Sequence, residues 1–205
     1  MGRAKFSQQD FLAATLAIVA EHGPPAVTVA AISERLKSPI GSFYHRFASL
    51  DVLLGELWLQ TVLDFQRGLS AAIDAGDGVR AALHTPAWVR GHLNEARLLL
   101  LHHRDDFVQG EWPQELREAV AAQTRDMQTG SARFARLVFG RAGAEERRLA
   151  QFLLAELPVA AVRQHLLRRE PPPPLVDRLI RVTYRAVVAD YRSGKSRSRF
   201  PRSLP

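Results

Sequence analysis

Residues 28–47, TVAAISERLKSPIGSFYHRF, decide how the rest of the chain is read. Val29, Ile32 and Leu36 recur at helical spacing, which predicts a short helix with one buried face, and Thr28 is placed to cap its first turn. Ser38 followed by Pro39 reads as an N-cap with proline at the first helical position, where a missing N–H costs nothing, so a second helix is expected to start there. Two short helices joined by so few residues must cross steeply, which is the helix-turn-helix arrangement. The second helix carries Ser42, Tyr44, His45 and Arg46, side chains able to reach base edges or phosphates.

Upstream, Phe11, Leu12, Leu16 and Val19 form an apolar stripe behind Ser7 and ahead of Gly23, predicting a helix over 7–22. Pro24 and Pro25 forbid its continuation, so residues 1–48 are expected to form a three-helix unit. Arg3 and Lys5 precede it as a short arm that either touches a phosphate or is disordered.

Downstream the pattern stays helical. Of the 205 residues 46% are hydrophobic, strict alternation is absent, and Ala, Leu, Arg, Glu and Gln fill long windows, which favours an all-α protein. Helices are expected over about 49–75, from 77 with an interruption at Thr85-Pro86, over 94–104, 113–139 and 144–168 with a kink at Pro158, and over 175–191. Residues 49–192 are therefore taken as a second helical domain and 193–205 as a basic disordered tail.

The net charge of +7 is unevenly spread. Residues 1–50 carry five Lys and Arg against three Asp and Glu, residues 51–170 fifteen against sixteen, and residues 171–205 eight against two. The excess is C-terminal, and reads either as a solvated tail or as extra phosphate contact. With no cysteine, disulfides, thiolate nucleophiles and cysteine-held zinc are excluded. No apolar run approaches a membrane span and MGRAKFSQQD has no signal core, so a soluble, cytoplasmic protein is expected.

The residues 11–16 FLAATL, then Glu21-His22-Gly23, Thr28-Val29, Ile32-Ser33, Gly41-Ser42-Phe43-Tyr44 and Phe47 resemble, in unbroken register, the N-terminal domain of TetR-family transcriptional regulators. The resemblance implies a DNA-binding head, a small-molecule pocket in the helical bundle behind it, and a homodimer through the last two long helices. It departs from the family at the turn, where Lys37 replaces the usual glycine and Ser38-Pro39 the usual apolar-Ser pair. A lysine at positive φ costs roughly 1 kcal/mol or more, so either that strain is tolerated or the turn is rearranged.

The expected DNA-contacting set is Thr28, Lys37, Ser38, Ile40, Gly41, Ser42, Tyr44, His45 and Arg46. Ile40 either joins the core or meets a thymine methyl, and Gly41 either lets the backbone approach the duplex or relieves helix packing. Tyr44 either offers a hydroxyl to a phosphate or is a half-buried aromatic, while Phe43 and Phe47 are assigned to the core. Candidate pocket residues are Trp58, Thr61, Phe65, His84, Trp88, His92, Gln123 and Met127, each of which could equally be core. Thr61 and Gln123 are the more telling, since a buried polar group needs a partner. A two-fold dimer would present recognition helices about 34 Å apart to a near-palindromic operator, from which a small-molecule effector would release a repressor.

No catalytic constellation is found. His102 and Asp106 have i, i+4 spacing without a third ligand, and no Gly-rich phosphate loop or nucleophile elbow is present, so no enzyme, metal or cofactor is expected. The alternative function is a helical module that binds small ligands or another protein and whose DNA specificity is degenerate, motivated by the unusual turn at 37–40.

Overall fold

A computed structural model describes residues 6–198, with side chains to Gly194. The arm of Arg3 and Lys5 and the end of the tail from residue 199 lie outside the described residues. Among the described residues there is no strand. The helices in chain order are α1 (Gln8–His22), α2 (Val29–Leu36), α3 (Gly41–Tyr44), α4 (Leu50–Asp74), α5 (Gly78–Ala82), α6 (His84–Gly91), α7 (Leu93–Leu101), α8 (Gln114–Phe139), α9 (Ala144–Gln151), α10 (Leu157–Arg168) and α11 (Pro174–Ser198).

Four of the helix starts follow from side-chain caps. Ser7 and Asp10 form a reciprocal capping box on α1, and Thr28, Ser49 and Asp77 each accept a backbone N–H two or three residues into α2, α4 and α5. The break between α5 and α6 falls at Leu83, not at Thr85-Pro86 as expected. Pro86 lies in the first turn of α6, where its missing N–H leaves no bond unmade. The next helix ends at Leu101 rather than 104, and residues 104–106 form a separate single turn.

Pro158 does more than kink its helix. It cannot donate to the carbonyl four residues back and its ring crowds that carbonyl. The chain answers by widening to a π-helical turn over Phe152–Glu156, where the Leu157 N–H reaches back to the Phe152 carbonyl, before α10 resumes. The last helix runs to Ser198, past the boundary expected at Tyr191. Gly194 does not stop it, because a glycine is tolerated in a helix at a cost of about 1 kcal/mol.

Two hydrophobic cores are strung along α4. One joins Phe11, Leu12, Ile32, Phe43 and Phe47 of the N-terminal helices to Leu53, Leu57 and Trp58 of α4, and also takes in Leu98, Phe107, Trp112, Leu116 and Val120. The other gathers Ile73, Trp88, Val89, Phe134, Leu153, Val162, Leu166 and Ile180 from α4 to α11. Behind the head, α1 packs on α7, which in turn packs on α10. Guanidinium groups cover helix ends at that joint. Arg97 donates from Nε to the Ala20 carbonyl of α1 at 2.8 Å and from Nη1 to the Leu166 carbonyl of α10, and Arg169 donates to the Glu21 carbonyl at 2.7 Å.

Candidate nucleic-acid interface

The head is built on three rings. Phe11 of α1 meets Phe43 and Phe47 edge-on at 5.9 and 6.3 Å between centroids, and Phe43 lies 5.6 Å from Phe47. All three are buried, which fixes α3 against α1 and leaves its opposite face outward. The α1–α2 angle is clamped by a two-pronged ion pair in which Arg35 Nη1 and Nη2 donate to the Glu21 carboxylate at 2.7 and 2.5 Å. That pairing holds the Glu21 carboxyl below its usual range.

The turn keeps the tight geometry despite its sequence. Lys37 takes the left-handed conformation, φ 52° and ψ 42°, its N–H bonding the Glu34 carbonyl while the Ser38 N–H reaches the Ser33 carbonyl at 2.9 Å. This is the Schellman closure that glycine usually provides. The rearranged turn is thereby corrected. Lysine carries the strain, and its side chain stands exposed at the corner.

Ser38 is a second correction. Its hydroxyl is buried without a hydrogen-bond partner, so it neither caps α3 nor reaches outward. The Schellman closure turns it inward, and the following turn starts instead through the Pro39 and Ile40 carbonyls, which accept from Ser42 and Phe43 N–H at 2.9 and 3.0 Å. The helix proper begins only at Gly41.

The remaining head residues fall into two groups. Thr28, Lys37, Ile40, Gly41, Tyr44 and His45 are exposed, Ile40 by 53% and Tyr44 by 61%. The core alternative for Ile40 is thus removed. At Gly41 a Cβ would meet nothing within 4 Å, so packing inside the protein does not require glycine there. Ser42 and Arg46 are half-buried, with the Arg46 guanidinium folded back on the Ser42 carbonyl at 3.2 Å. The Thr28 hydroxyl is engaged by Ala31 N–H at 3.0 Å as the α2 cap.

The eight pocket candidates do not converge on one cavity. Trp58, Thr61 and Gln123 are buried, with Trp58 in the head-side core and the Thr61 hydroxyl spent on the Leu57 carbonyl at 2.8 Å. Phe65, His84, Trp88 and His92 form a separate cluster between α4 and α6, with Trp88 edge-on to Phe65 at 5.1 Å and stacked on His92 at 5.1 Å. Met127 is 56% exposed, because the middle of α8 faces outward, and it lines nothing with the others. Sequence reasoning missed Asp64, whose carboxylate accepts from Trp88 Nε1 at 2.9 Å and lies 3.7 Å from His92 Nε2. The signal was available, since Asp64 adjoins Phe65 on the same stripe, but an acid on a long helix ordinarily reads as solvated. Burial pushes the imidazoles of His84 and His102 below their usual range. His102 packs edge-on to Phe107, and no group of three metal-ligating side chains occurs among the described residues.

The apolar residues of the last two long helices, the elements expected to join two copies, also divide. Leu153, Val162, Leu166 and Val188 are buried in the protein's own core, whereas Leu175, Leu179 and Val182 of α11 are exposed by 48, 54 and 59%. Among the described residues no helix is long and apolar enough to cross a membrane.

Comparison with known proteins adds three findings. Residues 11–57 match the family model for bacterial regulatory proteins of the tetR family. The fold is similar to the crystal structure of a Shewanella sp. PV-4 protein assigned to the tetR family of transcription regulators, with a TM-score of 0.61 and 18% identity over 91% of this chain and 96% of that one. No curated protein matches.

Proposed function

We propose that the chain, whose residues 11–57 match the family model for bacterial regulatory proteins of the tetR family, is a homodimeric transcriptional repressor that binds a near-palindromic operator and is released by a small-molecule effector. The observation that carries the DNA-binding part is the outer face of the turn and α3. There Lys37 and Ile40 of the turn, Gly41 and Tyr44 of α3 and His45 at its end are all exposed, with α3 pinned from behind by Phe43 and Phe47. A cation, an aliphatic group, a bare backbone patch and a phenol hydroxyl are what phosphate positioning and thymine-methyl readout call for.

Dimerisation is supported by the exposed Leu175, Leu179 and Val182, spaced i, i+4 and i+7 along α11. Two copies joined there would set half-sites about 34 Å apart. The left-handed turn at Lys37 removes the motive for a degenerate reading head. Selection from random-sequence duplexes with purified full-length protein is the test. Enrichment of an inverted repeat with half-sites one helical turn apart is expected, and recovery of no sequence preference would leave only non-specific DNA binding.

A further inference from the structure

Between α4, α5, α6 and α11 lies an open groove of about 560 Å³, within the size range of small-molecule sites. It adjoins the cluster of Phe65, Trp88 and His92 through His84, the one residue it shares with the pocket residues expected from the sequence. Val79, Leu83 and Ala87 give it an apolar lining and Gly68 exposes a strip of α4 backbone. Arg80 of α5 and Arg181 of α11 also line it, brought together from distant parts of the chain. Among the described residues neither guanidinium has a carboxylate partner, whereas nearby Arg90 pairs with Asp177 at 3.0 Å. The one carboxylate in the lining, Asp77, is engaged at the start of α5, where its Oδ1 accepts from the Arg80 backbone N–H at 2.9 Å.

His84 completes the site. Its Nε2 lies 2.7 Å from the Phe65 carbonyl of α4. A carbonyl only accepts, so Nε2 carries the proton and Nδ1 is left as an acceptor when the ring is neutral. The ring packs directly on α4 because residue 68 is glycine, where a Cβ would stand 2.4 Å from His84 Cε1.

We propose that this groove binds a small organic monoanion, its carboxylate held between Arg80 and Arg181 and its apolar body lying on Val79, Leu83 and Ala87. Two cations against one engaged acid select for negative charge, and the apolar lining selects against a bare inorganic anion. The bound molecule adjoins His84, and through the His84 bond to the Phe65 carbonyl it touches the long helix that leads to the head. The proposal gives the effector a chemistry, and in that respect alone it rests on the regulator function proposed above.

The experiment is calorimetric titration of the full-length protein with octanoate, using 1-octanol as the uncharged control and inorganic phosphate as the bare-anion control. Saturable octanoate binding is expected, with the two controls weaker by about tenfold or more. Arg80→Gln and Arg181→Gln should each weaken octanoate by about tenfold, and Ala87→Phe, which fills the apolar lining, should abolish it. Thermal melting in the wild-type range shows that the exposed arginine variants are folded. Octanoate binding that is absent, matched by phosphate, or unchanged in all three variants overturns the proposal. DNA selection on the same protein keeps the two failures apart. Saturable, arginine-dependent octanoate binding supports the groove even where no DNA sequence is enriched, and that second result overturns the regulator function alone.

Discussion

Glycine at position 41 has no internal task, since a Cβ there would meet open space and the backbone does not require positive φ. Gly41→Ala should therefore raise stability, by up to about 1 kcal/mol, because alanine is the better helix former. It should also weaken specific DNA binding if the bare backbone is what the duplex approaches, and melting curves beside operator titrations will show whether the two effects part. Lys37 is the converse, a residue strained at φ 52° whose side chain stands free. Lys37→Gly should leave stability level or raise it by about 1 kcal/mol, while lowering affinity for all sequences and reducing the salt slope by about one. Residue chemistry made the aromatic core legible in the sequence, and of the nine expected contact residues six stand exposed. It did not reveal that Ser38 is spent inside the turn, because a Ser-Pro pair has the composition of a helix start whether or not the hydroxyl reaches an N–H.

At the scale of elements, the caps at Ser7, Thr28, Ser49 and Asp77 announced four helix starts, whereas helix interruptions were less readable. Proline marks a position that cannot donate, but the sequence does not say whether the chain bends, begins a new helix or widens, and Pro86 and Pro158 take different solutions. Long-range ties were invisible altogether. Glu146 of α9 is buried and accepts from the Tyr191 hydroxyl of α11, with Arg141 Nε at 2.9 Å. The hydrogen bond from Tyr191, then one from its own backbone N–H and then that from Arg141, hold its carboxyl down at about 2 against the cost of burial. A carboxyl lowered in the folded state contributes stability that is complete above its unfolded value of 4.5 and is lost as pH falls toward about 2. Glu146→Gln should abolish that part of the acid dependence, as read from melting temperatures between pH 5 and 2.5, and should loosen the seam between α9 and α11.

For the molecule as a whole, the exposed stripe on α11 predicts that Leu179→Glu leaves each chain folded but shifts the mass in sedimentation toward that of a single chain, because Leu179 is 54% exposed and supports no internal core. The joint behind the head makes a second prediction. Arg97→Met removes a charged donor from two helix ends at once and should cost about 1.5–3 kcal/mol, with amide exchange at the end of α1 accelerating before that of α8. Neither partner of Arg97 could be found from the sequence, since both acceptors are backbone carbonyls. The same joint bears on modularity. The last carbonyls of α1 are completed by Arg97 and Arg169, and the head's core borrows Leu98, Phe107, Trp112, Leu116 and Val120 from beyond α4. A head excised at residue 57, or grafted onto a foreign body, would leave these needs unmet. The unit that can be exchanged between regulators of this architecture is thus the head together with the stretch through Val120 and Arg169, and hybrids cut at α4 should fold only when the recipient supplies matching side chains.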